Sequence, residues 1–115
     1  MSEAQTKPFR AHDRRKAGLA ASIAHPLAGW RVEGRVHDIG LGGAAVDITE
    51  VVEPGDRVML ELMAPTLWDP LHVRGRVTWA KAAAKGPGVR CGVSFEHVDP
   101  PSLFALVELL GTLEY

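Results

Sequence analysis

The feature that most constrains the fold is an alternation of apolar and polar residues with a period of two. It is clearest between Leu71 and Trp79, where every second residue is apolar or glycine and His72, Arg74, Arg76 and Thr78 lie between them. Successive side chains of a strand point to opposite faces, so this pattern predicts a strand with one face in a core and the other in water. The same period recurs in five further short segments, which are separated by turn-forming residues.

These segments predict an antiparallel all-β barrel with a C-terminal helix. Strands are expected at residues 19–23, 30–39, 42–49, 58–63, 71–79 and 89–96. Strands that follow one another without intervening helices favour an antiparallel sheet, and closure into a barrel removes exposed strand edges. A helix is expected over 99–113, because Asp99 to Ser102 is typical of a helix start. Its apolar face is expected to comprise Leu103, Leu106, Val107, Leu110 and Leu113.

Basic residues are concentrated near the N-terminus. Five of the 13 lysines and arginines lie between Lys7 and Lys16, although the formal net charge of the chain is −1. Residues 1–8 are polar and predict a disordered leader, and residues 9–17 predict a basic loop. Because the rest of the chain is mildly acidic, a compact anion is favoured over an extended nucleic acid as the partner. A merely solvated basic segment is the alternative on composition alone.

The segment from Asp38 to Gly43 has chemistry that complements this basic segment. It follows directly on a predicted strand and combines a carboxylate with glycines at 40, 42 and 43. Arginine can donate from a planar fork to phosphate or to the O6 and N7 edge of guanine. Aspartate can accept from guanine N1–H and N2–H, and glycine lets a ligand approach the backbone. Together the two segments favour a small anion that carries guanine.

The two segments resemble the signature of the PilZ domain family, which is R-x-x-x-R followed about one strand later by [DN]-x-S-x-x-G. Arg10 and Arg14 complete the first half of this signature. Asp38 and Gly43 keep two positions of the second half, and Gly40 stands where the family has serine. The resemblance implies that these five residues form a binding site for cyclic di-GMP, and that no cofactor or metal is required.

The resemblance covers almost the whole chain and implies one PilZ-like domain over 9–115, with a six-stranded barrel over 18–98. The hydroxyl missing at Gly40 is worth about 0.5–1.5 kcal/mol, so affinity is expected to fall by about threefold to tenfold without being abolished. Arg15 either adds a phosphate contact or is only solvated. Three further arginines on polar strand faces either extend the basic surface or only solvate the barrel exterior: Arg74, Arg76 and Arg90.

The aromatic residues and the single cysteine divide between core and surface. Trp30, Trp79 and Phe95 occupy inward-looking strand positions and are interpreted as core. Cys91 lies on the apolar side of a strand and is interpreted as a buried, inert thiol. Trp68 lies in a loop flanked by prolines, so it is expected to be exposed and to offer a docking point for a partner.

Nothing in the sequence supports catalysis. The five histidines lack paired metal-ligand spacing, one cysteine cannot build a zinc cluster, and neither G-x-S-x-G nor a phosphate loop occurs. No apolar run approaches the roughly 18 residues of a membrane span, and the N-terminus lacks the apolar stretch of a signal peptide. A cytoplasmic protein without membrane insertion is expected.

The interpretation that follows is a bacterial receptor for cyclic di-GMP whose basic loop becomes ordered on the barrel when nucleotide binds. The ordered loop would alter contact with an effector protein of motility, polysaccharide production or biofilm control. Two alternatives remain open. One is an interaction adaptor that keeps the fold but has lost nucleotide binding, and the other is a nucleic-acid binder that uses the basic arm.

Overall fold

The computed structural model describes residues 15–63, 68–83, 86–96 and 100–113. Within these ranges the chain forms a closed barrel of six antiparallel strands followed by one helix, which confirms the predicted fold. The elements are β1 (Arg15–His25), β2 (Trp30–Ile39), β3 (Gly43–Ile48), β4 (Arg57–Met63), β5 (Leu71–Ala82), β6 (Val89–Glu96) and α1 (Pro100–Gly111). Around the barrel the strand order is β1, β2, β3, β6, β5, β4. No helix in the described ranges is long and apolar enough to cross a membrane.

The apolar side of each strand fills the barrel interior. Val36, Val46, Leu60 and Leu62 are completely buried there. Each such side chain contributes about 1.5–3 kcal/mol relative to exposure to water. Cys91 is equally buried, and this burial raises the pKa of its thiol to about 11. The thiol is therefore protonated at neutral pH and inaccessible, as the sequence predicted.

Strand β1 is longer than the sequence predicted. It begins at Arg15 rather than at residue 19, so residues 15–17 of the predicted basic loop belong to a strand. The register of β1 against β2 shifts between Lys16 and Leu19, where Gly18 has a φ of 61°. A bulge at a glycine interrupts the alternation of side chains, which explains why the first part of this strand could not be recognised from its pattern. Residues 1–14, with the predicted leader, Arg10 and Arg14, lie outside the described residues.

A second bulge changes which residues of β5 face the core. The register of β5 against β6 shifts between Val77 and Trp79. The extra residue turns Trp79 to the outer surface, where it is 39% exposed, and Ala80 packs against the core in its place. The interpretation of Trp79 as a core residue is therefore wrong. Phe95 is buried and Trp30 packs against the core, as predicted.

Helix α1 packs near β5 and buries Leu106 and Leu109. Its buried face is rotated relative to the predicted one, because Leu109 is buried whereas Val107 is 49% exposed. Leu110 and Leu113 pack partly against the core, in agreement with the prediction. The helix thus covers part of the barrel core and leaves Val107 on its outer surface.

Arg15 attaches the C-terminal end of α1 to the start of β1. Its Nη1 donates to the carbonyl oxygen of Leu110 at 2.9 Å and to that of Leu113 at 3.3 Å. The last carbonyl groups of a helix lack partners within the helix, and a cation near them interacts favourably with the helix dipole. The last turn of α1 has no basic residue of its own, so Arg15 supplies that cation from 95 positions away.

Gly43 allows strands β3 and β6 to approach each other closely at the start of β3. It pairs with Ser94, and a Cβ atom at position 43 would overlap the carbonyl oxygen of Val93. Because the obstacle is backbone, a rotamer change cannot relieve the overlap. Gly43 does not have a positive φ, so the close approach of the two strands explains this glycine.

Replacing Gly43 with alanine is expected to destabilise the barrel by about 1–3 kcal/mol, because β3 and β6 must separate to admit the methyl group. Gly111→Ala is the matched control, since a Cβ atom at Gly111 meets no atom within 4 Å. Alanine favours a helix by up to about 1 kcal/mol over glycine, so this control is expected to unfold at the same or a higher denaturant concentration. Urea unfolding of both variants makes the comparison. Equal midpoints for Gly43→Ala and the wild-type protein would contradict the steric explanation.

Candidate functional site

The register of β1 and β2 places Arg15 and Lys16 at the same end of the barrel as Asp38. Arg15 pairs with Ile39, and Lys16 pairs with Asp38. Arg14, the last arginine of the motif, immediately precedes Arg15 in the sequence but lies outside the described residues. The described chain therefore begins beside the second half of the motif.

The turn that follows Asp38 is held by backbone hydrogen bonds on both sides. The amide of Gly40 donates to the carbonyl oxygen of Gly43 at 2.8 Å. The amide of Phe95 donates to the carbonyl oxygen of Gly42 at 2.8 Å, which ties the turn to β6. Asp38 itself is only partly buried, and its Oδ2 lies 3.8 Å from Nε2 of His37. The carboxylate is thus carried on a well-supported hairpin at the barrel surface.

Small residues lie beside this turn at the outward-directed positions of β3 and β6. Gly43 pairs with Ser94, and Ala45 pairs with Gly92. Asp38 pairs with Ala45 from the β2 side. Gly43, Ala45 and Gly92 are buried, whereas Ser94 is exposed. We call the group of Gly43, Ala45, Gly92 and Ser94 the small-residue floor.

Trp79 borders the small-residue floor on the side opposite Asp38. It pairs with Gly92, and a Cβ atom at position 92 would overlap the indole ring. The ring therefore lies across the β6 backbone, with Nζ of Lys81 at 5.5 Å from its centroid. The exposed part of this ring can stack on a planar base. Sequence reasoning missed this residue, and the available signal was Gly92, since a glycine within a strand often marks a close approach.

At the far end of β3, an ion pair separates the floor from an open cavity. Nε of Arg90 donates to Oδ1 of Asp47 at 2.7 Å, and Nη2 donates to Oδ2 at 3.0 Å. These hydrogen bonds lower the pKa of Asp47 and raise that of Arg90. The cavity beside them measures about 450 Å³ and is lined by Glu33, Asp47, Ile48, Thr49, Ala83, Pro87 and Arg90. Arg90 thus has a carboxylate partner and is not a free extension of the basic surface.

Two further residues for which the sequence predicted contacts are described. The backbone of Arg15 lies beside Ile39, and its guanidinium group contacts α1, as described above, so its contact with a phosphate stays a prediction. Trp68 is fully exposed, as predicted, in the connection between β4 and β5. Of the sequence-predicted site residues within the described ranges, Asp38, Gly40 and Gly43 lie together at the β2–β3 turn.

The outer surface near this turn offers groups that can bind a small polar ligand. Asp38 is partly exposed beside the start of β1, and Ser94 and Trp79 are exposed on β6 and β5. Within the described ranges, no group of three or more His, Cys, Asp or Glu side chains is placed to hold a metal ion.

Solved structures share this fold at low sequence identity. The PilZ domain of YcgR from Escherichia coli, solved with c-di-GMP, has a TM-score of 0.71 and 18% identity over 90% of this chain and 90% of that chain. MrkH from K. pneumonia in its apo state has a TM-score of 0.72 and 12% identity over 93% of this chain and 52% of that chain. The inhibitor of motility MotI from Bacillus subtilis has a TM-score of 0.68 and 15% identity over 92% of this chain and 54% of that chain. The chain thus spans about half the length of MotI and MrkH, and the similarity at these identities establishes the fold.

No curated protein sequence shows significant similarity to the chain. The sequence model of the PilZ domain, in contrast, matches residues 8–111, which is nearly the whole of the 115-residue chain. The match includes both halves of the motif and all six strands. This protein therefore belongs to the PilZ domain family.

Proposed function

We propose that this protein is a cytoplasmic receptor for cyclic di-GMP and not an enzyme. The observation that carries the proposal is the register that joins the basic segment to the barrel beside Asp38. Arginines and a guanine-accepting carboxylate are needed in one place to bind this ligand. The proposal is supported by Arg15, which directly follows Arg14 in the sequence and whose backbone pairs with Ile39 next to Asp38. Membership of the PilZ family and the fold shared with the c-di-GMP complex of YcgR support the same conclusion.

Each part of the site has a distinct role in the proposed complex. Arg10 and Arg14 donate to the phosphates and to the guanine O6 and N7 atoms. Asp38 accepts from guanine N1–H and N2–H, which arginine cannot do. Trp79 lies across Gly92 beside the small-residue floor and offers the exposed part of its ring for stacking on a base. Guanine is therefore selected by hydrogen bonds at its edges and held by contact with its faces.

Binding of the nucleotide is proposed to fix the basic segment against the barrel and so to change the surface shown to an effector. Arg15 provides a path for this change, because it directly follows Arg14 and its guanidinium group holds the C-terminal end of α1. Capture of Arg14 by the ligand would therefore act on a residue that already contacts the helix. The proposed output is control of motility, polysaccharide production or biofilm formation through a partner protein.

Cyclic di-GMP is expected to raise the melting temperature of the wild-type protein. At a ligand concentration of about 100 times Kd, native-state binding adds roughly 2.7 kcal/mol to the free energy of unfolding. The double variant Arg10→Ala/Arg14→Ala is expected to lose this gain, while the stability of the free protein changes by no more than about 0.5 kcal/mol. Melting curves with and without nucleotide measure both effects.

The matched control is Arg57→Ala/Arg74→Ala, which removes the same charge from another part of the barrel and should keep the ligand response. Cyclic di-AMP serves as the ligand control, because adenine lacks the N1–H and N2–H donors for Asp38. A wild-type protein without any shift at millimolar cyclic di-GMP would overturn the receptor proposal. Equal shifts with the two nucleotides would overturn guanine recognition.

Trp79→Ala is expected to weaken cyclic di-GMP binding by about 1–3 kcal/mol, the usual effect of removing an aromatic side chain from a base stack. Trp68→Ala is the control, because Trp68 is also exposed but lies in the β4–β5 connection. This variant should bind cyclic di-GMP with the affinity of the wild-type protein. Isothermal titration calorimetry provides the dissociation constants. If both variants bind as the wild-type protein does, Trp79 has no part in the site.

A PilZ-fold adaptor without nucleotide binding is a second candidate, and Gly40 is the observation that favours it, because the family serine is missing there. If the missing hydroxyl only weakens the site, Gly40→Ser should tighten cyclic di-GMP binding by about threefold to tenfold. Calorimetric titration of both proteins measures this change. If the wild-type protein does not bind cyclic di-GMP and the Gly40→Ser variant does, the result would favour the adaptor.

A further inference from the structure

Three arginines lie on the outer surface of β4 and β5, on polar faces that the nucleotide site does not use. Arg57 and Arg76 are directly opposite each other in the register of the two strands, and Arg74 follows on the same face of β5. Like charges in directly opposite cross-strand positions destabilise a sheet. The free protein therefore maintains an unfavourable pair at a position where most polar residues would be tolerated.

These positive charges are poorly compensated within the described part of the chain. Glu96 is one carboxylate beside them, since it pairs with Arg74 in the register and its Oε2 lies 4.0 Å from Nη2 of Arg76. Arg57 and Arg74 are exposed, and neither has an ion-pair or hydrogen-bond partner among residues 15–63, 68–83, 86–96 and 100–113. Other arginines of the barrel behave differently, because Arg31 binds Glu61 and Arg90 binds Asp47.

A cleft of about 300 Å³ lies between these arginines. Its walls include Arg57, Arg74, Glu96, Met59 and Pro26. Its charged groups come from three strands, and its apolar surface comes from a methionine side chain and a proline ring. The cleft therefore offers unused guanidinium groups beside a small apolar surface. We call it the arginine cleft.

We propose that the arginine cleft binds an acidic segment of a partner protein. Guanidinium groups form paired hydrogen bonds with carboxylates, so Arg57 and Arg74 are suited to glutamate or aspartate side chains. Met59 and Pro26 can contact an adjacent apolar residue of the same segment. A volume of about 300 Å³ admits a few side chains, and the net charge of −1 opposes long polyanions such as nucleic acid or an anionic membrane.

The position of the arginine cleft allows it to act together with the nucleotide site. The cleft and the small-residue floor share β6, because Glu96 lines the cleft and Ser94 belongs to the floor. Arg76 lies between them, because it pairs with Arg57 on one side and with Ser94 on the other. This proposal does not depend on nucleotide binding.

The test is fluorescence anisotropy at low ionic strength with a fluorescein-labelled, glutamate-rich octapeptide that also contains leucine. Wild-type protein is expected to bind it, and Arg57→Ala/Arg74→Ala is expected to bind at least about tenfold more weakly, because two charge-assisted contacts are lost. Arg10→Ala/Arg14→Ala loses the same charge from the basic segment and should keep the wild-type affinity. Arg57→Lys/Arg74→Lys keeps the charge without the planar fork and should lie between the wild-type protein and the alanine variant.

Melting curves separate a binding role from a structural one. Because Arg57 opposes Arg76, the variant Arg57→Ala is expected to melt at the same temperature as the wild-type protein or above it. A large loss of stability in this variant would assign the arginines to the fold and overturn the proposal. Absence of peptide binding by the wild-type protein, or equal losses in the two alanine double variants, would also overturn it. If a single-stranded oligonucleotide or phosphatidylglycerol vesicles bind at Arg57 and Arg74 more tightly than the peptide does, that result would overturn the acidic segment as the partner of the cleft and assign the cleft to the tighter ligand.

Discussion

Hydrogen bonding between β1 and β4 closes the barrel, and the rest of the structure depends on this closure. β1 pairs with β2 on one side and, from Ala20 to Ala24, with β4 on the other. This pairing connects β1 and β4, which would be the two edge strands of an open sheet, so neither of them is left fully unpaired. Closure also fixes where β1 begins. Its first residue, Arg15, lies beside the end of β2, and the proposed nucleotide site is built at that point.

Much of this architecture could be predicted from the period-two pattern, because a half-buried strand needs one apolar face whatever its partners are. The strands predicted at 30–39 and 89–96 agree with β2 and β6 at both ends. Two of the failures, at Trp79 and at the start of β1, occur at bulges. Whether Trp79 faces inward depends on one extra residue relative to β6, and the pattern of a single strand contains no information on its partner's register. Gly18 conceals the start of β1 for the same reason.

Part of the candidate site could likewise be predicted from the sequence, and the rest depends on how the strands pair. Asp38, Gly40 and Gly43 could be recognised because they are close together in the chain and resemble a family motif. The role of Gly43 required the structure, since the obstacle to a side chain is the backbone at Val93, which is distant in sequence. The opposition of Arg57 and Arg76 likewise arises only when β4 pairs with β5. Chemistry that depends on neighbours in space is therefore the part that sequence reasoning missed.

The pairing of β3 with β6 also has a consequence for how the chain reaches its folded state. β3 is complete at Ile48, but the strand that covers its second side begins only at Val89. During synthesis, β1 to β4 can pair before β6 has been made. Until then one side of the β3 backbone is unpaired, and the sequence of β3 is largely apolar. Non-local pairing of this kind slows folding, because a long loop must close before the contact forms. A chain that ends before β6 exposes that edge permanently, so truncation before Val89 creates a template for aggregation.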